Sequence, residues 1–193
     1  MKRVLLAALL AFAQFTGFTA NATVLTFEDV PGVSPNGVGL MPSVHNGYTF
    51  NSTAFWIDTV GSAYNYGAHS GEITVLNNFT GAVIISAEDG SDFTFDGVWA
   101  ETWARQAERM GTIRGFNNGV EVWTVHTTLT SNFQFYAGVT GDIDQLHLDL
   151  GNFFLFDDLA LNPAAAIPEP GSLALLGLGL AGFAAARRRA THA

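Results

Sequence analysis

The chain has 193 residues, no cysteine and a formal net charge of −9. Between residues 23 and 166, sixteen carboxylates stand against only three cations, Arg105, Arg109 and Arg114, with no lysine, so that stretch carries −13. Such a surface excludes nucleic acid as a partner, and the missing cysteines exclude a disulfide scaffold, so packing or a metal must hold the fold.

The N-terminus reads Met1-Lys2-Arg3, then an apolar stretch from Val4 to Phe12, then Ala20-Asn21-Ala22. A basic start, a short greasy core and small residues at a cleavage point make residues 1–22 a secretory signal peptide, with the mature chain starting near Thr23. The apolar core is too short to read as a permanent anchor.

From Thr23 the period is that of strands. Thr23 to Val30 opens with Val24, Leu25 and Phe27 and is stopped by Pro31-Gly32. Residues 47–50 and 54–57 follow across a polar turn, and 73–76, 82–87 and 93–95 are further strands bounded by Gly, Asn or Asp. The segment from Trp99 to Met110 breaks the pattern: its helix formers, with Glu101 and Arg105 at i, i+4, fit a short helix or a long loop. A hairpin is expected about Asn117-Asn118-Gly119, because Asn-Gly suits a tight turn with positive φ. Residues 133–137 make the next strand. In 143–150 the leucines Leu146, Leu148 and Leu150 share one face, with Gln145, His147 and Asp149 on the other. The run Phe153 to Leu161 is apolar on both faces and belongs at the centre of a sheet.

About nine or ten short strands without βαβ alternation predict an all-β domain over residues 23–162, an antiparallel β-sandwich of jelly-roll type. Leu25-Thr26-Phe27-Glu28-Asp29 and Phe156-Asp157-Asp158-Leu159-Ala160-Leu161 resemble the first and last strands of carbohydrate-binding modules. That resemblance implies neighbouring terminal strands and a structural Ca²⁺ beside them.

The C-terminal segment, residues 163–193, has a different composition. Pro168-Glu169-Pro170 precedes sixteen uncharged residues, 171–186, and then Arg187, Arg188 and Arg189. As a helix the run would span about 24 Å, a short transmembrane segment that its arginines can extend by snorkelling. The arginines belong on the cytoplasmic side, which leaves the body outside. The order of these parts resembles the PEP-CTERM class of bacterial exported proteins. The resemblance implies Sec export, transient anchoring in the inner membrane of a Gram-negative cell, and recognition by an exosortase. Cleavage near the Pro-Glu-Pro would deliver the body to the cell surface or an exopolysaccharide matrix.

Candidate chemistry in the body is sparse. Glu28, Asp29, Asp157 and Asp158 could share a Ca²⁺ if the terminal strands are neighbours; otherwise they are solvated strand-end charges. Trp99 and Trp103, placed in the irregular segment, are candidates for stacking on sugar rings, whereas Trp56 and Trp123 lie in strand patterns and read as core. His45, His69, His126 and His147 show no zinc spacing, and there is no nucleophile elbow, Walker or dinucleotide motif. A glycosidase needs only two carboxylates, but nothing in the sequence selects a pair. The expectation is therefore a non-enzymatic exported surface or matrix protein associated with extracellular polysaccharide. A carbohydrate-binding module with a defined sugar site is the alternative, and a polysaccharide hydrolase the more remote one.

Overall fold

Alternating side chains produce two facing sheets. The computed structural model describes residues 23–61, 64, 66–78 and 81–163, all within one unit, Ala20–Ala164. The expected signal peptide, the Pro-Glu-Pro, the sorting helix and its arginines lie outside the described residues.

One sheet has seven strands: β1 (Thr23–Leu25), β2 (Val38–Leu40), β5 (Ala54–Asp58), β6 (Ile73–Asn77), β8 (Phe93–Thr102), β11 (Gln134–Ile143) and β13 (Phe154–Pro163). Their order is β11-β8-β13-β6-β5-β2, with β1 on β13. The other has six: β3 (Val44–His45), β4 (Tyr48–Phe50), β7 (Val83–Ala87), β9 (Arg109–Asn117), β10 (Val120–Leu129) and β12 (Gln145–Asp149), in the order β10-β9-β12-β7-β4-β3. All pairings are antiparallel. The body is an antiparallel β-sandwich.

The core between the sheets is built from every second residue. On β8, Phe93 and Phe95 face inward and, after a bulge at Asp96-Gly97, so do Val98, Ala100 and Thr102. Phe154, Phe156, Leu159 and Leu161 of β13 meet them, with Leu146, Leu148 and Ile113 opposite. Phe27 sits edge-on to Phe156, with ring centroids 5.7 Å apart. Each such aromatic or aliphatic side chain removed from water contributes about 1.5–3 kcal/mol.

β13 is central, as its two-sided apolar pattern implies. β8 pairs along one edge for its whole length; β6 takes Leu155 and Phe156 on the other edge, and β1 takes Leu159 to Leu161. The terminal strands are therefore neighbours. Between β6 and β1 the edge of β13 is open at Asp157 and Asp158, where its register shifts. The hairpin turns where Asn-Gly requires it, with Asn118 at φ 51° and Gly119 at φ 74°.

Two expectations need correction. The opening strand ends at Leu25, because Phe27 adopts φ 63° and swings its ring into the core. In place of the short helix or long loop expected between Trp99 and Met110, β8 runs through Thr102, a single 3-10 turn covers Trp103–Arg105 and β9 begins at Arg109. Here strand pairing on both edges, to β11 and β13, outweighs helix propensity. The bulge also hid the alternation, since it shifts the inward face from odd to even positions partway along β8.

Candidate functional site

The outer face of the seven-stranded sheet carries a second, smaller apolar cluster. Ile57, Leu76 and Leu155 are buried there, with Phe55, Tyr66, Trp103 and Phe133 packed on them. On β8 the residues alternating with the inward set are Trp99 and Glu101, and Trp103 follows immediately. Phe135 on β11 stands opposite Trp99, their ring centroids 5.6 Å apart. Its ring lies over Gly97, where an added Cβ would approach Phe135 Cζ to 2.3 Å. Phe135 is 49 % exposed and Tyr64 38 %. Tyr66 meets Trp103 edge-on at 4.7 Å, and Tyr64 lies 5.8 Å from the same ring.

The described residues between Thr59 and Glu72, namely 59–61, 64 and 66–72, form a strap over this face. It closes at its base where the Thr59 N–H and hydroxyl both donate to the Glu72 carbonyl at 2.9 Å. Three carboxylates hold its returning limb. Asp157 Oδ2 accepts the N–H groups of His69 and Ser70, each at 2.9 Å, and its Oδ1 accepts that of Asp158 at 2.7 Å. Asp158 accepts the Ser70 hydroxyl at 2.7 Å and stands 2.5 Å from His69 Nδ1. Glu28 Oε1 accepts the N–H groups of Glu72 and Ile73 at 2.9 and 2.8 Å. Held in this way, the His69 ring stacks on Trp99 at 3.7 Å and 12°.

Two carboxyls of this sheet are removed from water. Asp157 is 0 % exposed and Glu101 3 %. Burial pushes Asp157 up to about 7; the N–H bonds from Ser70, Asp158 and His69 oppose that, while the charge of Asp158 adds to it. Glu101 is also raised to about 7 by burial, against Arg105 and the Phe133 backbone. Among the described residues, Glu101 Oε1 has no hydrogen-bond partner.

Of the residues expected to matter, Trp99 and Trp103 do share one face, although Trp99 is in a strand and one side of its ring is covered by His69. Trp56 is buried in the core and Trp123 stacks on Phe95, as their strand patterns implied. The four carboxylates expected around Ca²⁺ are not brought together. Asp29 turns to His45 Nε2 at 3.2 Å and to the Asn46 amide at 3.1 Å. The others spend their lone pairs on the strap. Among the described residues, no group of three or more His, Asp or Glu side chains could hold a metal ion. His147 and Asp149 lie on the outside of the six-stranded sheet, His147 at 3.3 Å from Gln145 and Asp149 at 3.5 Å from Arg114. Glu101, His69, Phe133 and Phe135 were not anticipated, although Trp99, Glu101 and Trp103 at i, i+2, i+4 spell one face of a strand.

The C-terminal segment has a clearer affinity. Residues 166–189 match the model of the PEP-CTERM protein-sorting motif. This chain carries a PEP-CTERM sorting signal. The signal implies an exported protein whose precursor is anchored in the membrane and processed by an exosortase for the cell surface. No curated protein matches the chain.

Several solved structures are similar to the body of the chain that carries this PEP-CTERM signal. The CBM22-1 xylan-binding domain from Paenibacillus barcinonensis Xyn10C is 12 % identical, with 77 % of this chain and 98 % of that one covered and a TM-score of 0.48. A family 29 carbohydrate-binding module complexed with mannohexaose is 15 % identical over 75 % and 92 %, with a TM-score of 0.34. TmCBM61 in complex with β-1,4-galactotriose is 11 % identical over 60 % and 86 %, with a TM-score of 0.33.

Proposed function

We propose that this protein is exported through Sec, loses residues 1–22, and is held in the inner membrane of a Gram-negative cell by residues 171–186 until an exosortase acts near Pro168-Glu169-Pro170. Its sandwich then works at the cell surface or in the exopolysaccharide matrix, where it holds polysaccharide without cleaving it. The observation that carries the binding reading is the aromatic row on the outer face of the seven-stranded sheet. Phe135, Tyr64, Trp103 and Phe133 are assembled there on a face that the main core does not need, and partly exposed aromatic rings offer flat apolar surfaces to sugar rings. The jelly-roll reading of the topology fits the same function.

Binding rather than hydrolysis is favoured by the state of the carboxyls. Glu101 and Asp157 are the pair that register and burial would select for glycosidase chemistry, yet neither has surface open to a water or a glycosidic bond. Tryptophan fluorescence titrated with a panel of soluble polysaccharides tests the reading. At least one sugar should quench or shift the emission, and Trp103→Ala should weaken that binding about tenfold or more, equivalent to about 1.4 kcal/mol. A flat response to every polysaccharide overturns it.

A further inference from the structure

A cleft of about 290 Å³ lies at the end of the sandwich where the chain enters and leaves it, and no residue of the aromatic face lines it. Three pieces of backbone wall it. The β3–β4 turn supplies Asn46 and Gly47, and the β7–β8 turn from Glu88 to Ser91 is drawn against them where the Glu88 N–H donates to the Gly47 carbonyl at 2.8 Å. Thr23 and Pro163 of the terminal strands make the third wall. At the base are the buried rings of Tyr48 and Phe93, edge-on with centroids 5.5 Å apart.

Tyr48 carries a hydroxyl that the fold itself does not use. The residue is 5 % exposed and lines the cleft, and its hydroxyl has no hydrogen-bond partner among the described residues. A phenylalanine would pack on Phe93 equally well, so the partner of this hydroxyl should come from outside the chain. Burial, and after it the charge of Asp89, raise the phenol above its ordinary value; it keeps its proton and can both donate and accept.

The charges set the sign of what enters. Glu88 and Asp89 stand exposed at the rim. Ser91, through its hydroxyl and its N–H at 2.9 Å, holds Asp89 below the ordinary carboxylate value, so the charge persists. No lysine, arginine or histidine lines the cleft to balance it. A metal ion is not the occupant these groups suit, since among the described residues no three His, Asp or Glu side chains converge to hold one. An ammonium group is: its N–H donors can reach a carboxylate and the phenol oxygen together, in charge-assisted bonds. The hydroxyls of Thr23 and Ser91 and the Asn46 side chain, also on the walls, match a ligand ringed with hydroxyls better than a bare alkyl amine.

We propose that this cleft is a second glycan site, separate from the aromatic face, that binds a cationic aminosugar, with Asp89 pairing its ammonium and Tyr48 bonded to the ammonium or a ring hydroxyl.

Amide NMR of the full chain in a polyoxyethylene detergent at low salt tests it, with methyl glucosaminide, its N-acetyl counterpart, N-acetyl-lysine amide and calcium chloride as probes. Methyl glucosaminide should shift the amides of Gly47, Tyr48 and Asp89 to Ser91 saturably, and bind about tenfold or more tighter than the N-acetyl sugar or the lysine amide. Tyr48→Phe should keep the melting temperature and weaken binding about threefold, and Asp89→Asn about tenfold, whereas Glu121→Gln on the other end of the charge distribution should change little. Shifts scattered over the acidic surface, or an equal loss with Glu121→Gln, mean diffuse attraction and overturn the site. Lysine amide or calcium bound as tightly as the sugar overturns the aminosugar, and so does an equal response to the N-acetyl sugar. No tryptophan lines the cleft, so failure here is read apart from the tryptophan-emission test of the aromatic face and leaves that reading standing.

Discussion

Glu101 and Asp157 make the body sensitive to pH. Both are raised to about 7, well above the 4.5 and 3.8 of the free side chains, so the folded state holds protons that the unfolded chain releases. Their stabilising contribution is therefore fully present at acid pH, below the unfolded values, and is lost as pH rises from about 4 to about 7. The melting temperature should fall over that interval and level off above it, by a free-energy change on the order of 3–4 kcal/mol for each group. Glu101→Gln should flatten part of the slope; an unchanged slope would remove Glu101 from this account. No reading of the sequence could single out these two from sixteen acids, because what surrounds them comes from distant parts of the chain: His69 and Ser70 of the strap at Asp157, and Phe133 at Glu101.

At the scale of elements, the strap is fastened by a bulge. Asp158 has φ 44°, a left-handed conformation that side chains adopt reluctantly, and this turns consecutive carboxyls of β13 toward His69 and Ser70. Asp158→Gly suits that backbone and removes only the side chain. It should speed amide exchange at His69 and Ser70 and shift Trp99 emission to the red as the imidazole leaves the indole, while exchange in β12 stays slow. Equal acceleration throughout would mean the whole sandwich had loosened instead. Much of this level was legible from sequence. The central place of β13 and the Asn118-Gly119 hairpin follow from two-sided apolarity and turn chemistry, and the adjacency of the terminal strands is what their resemblance to the first and last strands of carbohydrate-binding modules implied. The extent of β8 was not, because a one-residue bulge inverts the face on which its large side chains fall. Short strands such as β2 and β3 carry too few residues to show a period at all.

The whole molecule joins an address to a body. The sorting signal was readable at once because its physics is local: a rigid tripeptide, an uncharged run and a cationic stop. Removing residues 167–193 should abolish any membrane-bound precursor while leaving the sandwich folded. Fractionation of the native host checks this, and an unchanged membrane fraction would contradict the sorting role. The function of the body was less legible, since its aromatic face is assembled from β8, β11 and the strap, none of which announces the others.

Thr23 pairs beside Leu161, so the chain enters and leaves the sandwich at one end, where Pro163 closes β13. Asp157, which holds the strap, lies six residues up the strand, and the Trp103 end of β8 lies beside Phe154, nine residues up. At about 3.3 Å per residue that places the aromatic face some 20–30 Å from the point of exit. The aromatic face therefore stands well away from the end of the sandwich at which the chain enters and leaves it. On the function proposed above, a precursor still tethered would already be able to hold polysaccharide, and exosortase cleavage would release a loaded protein, coupling secretion of the one to export of the other.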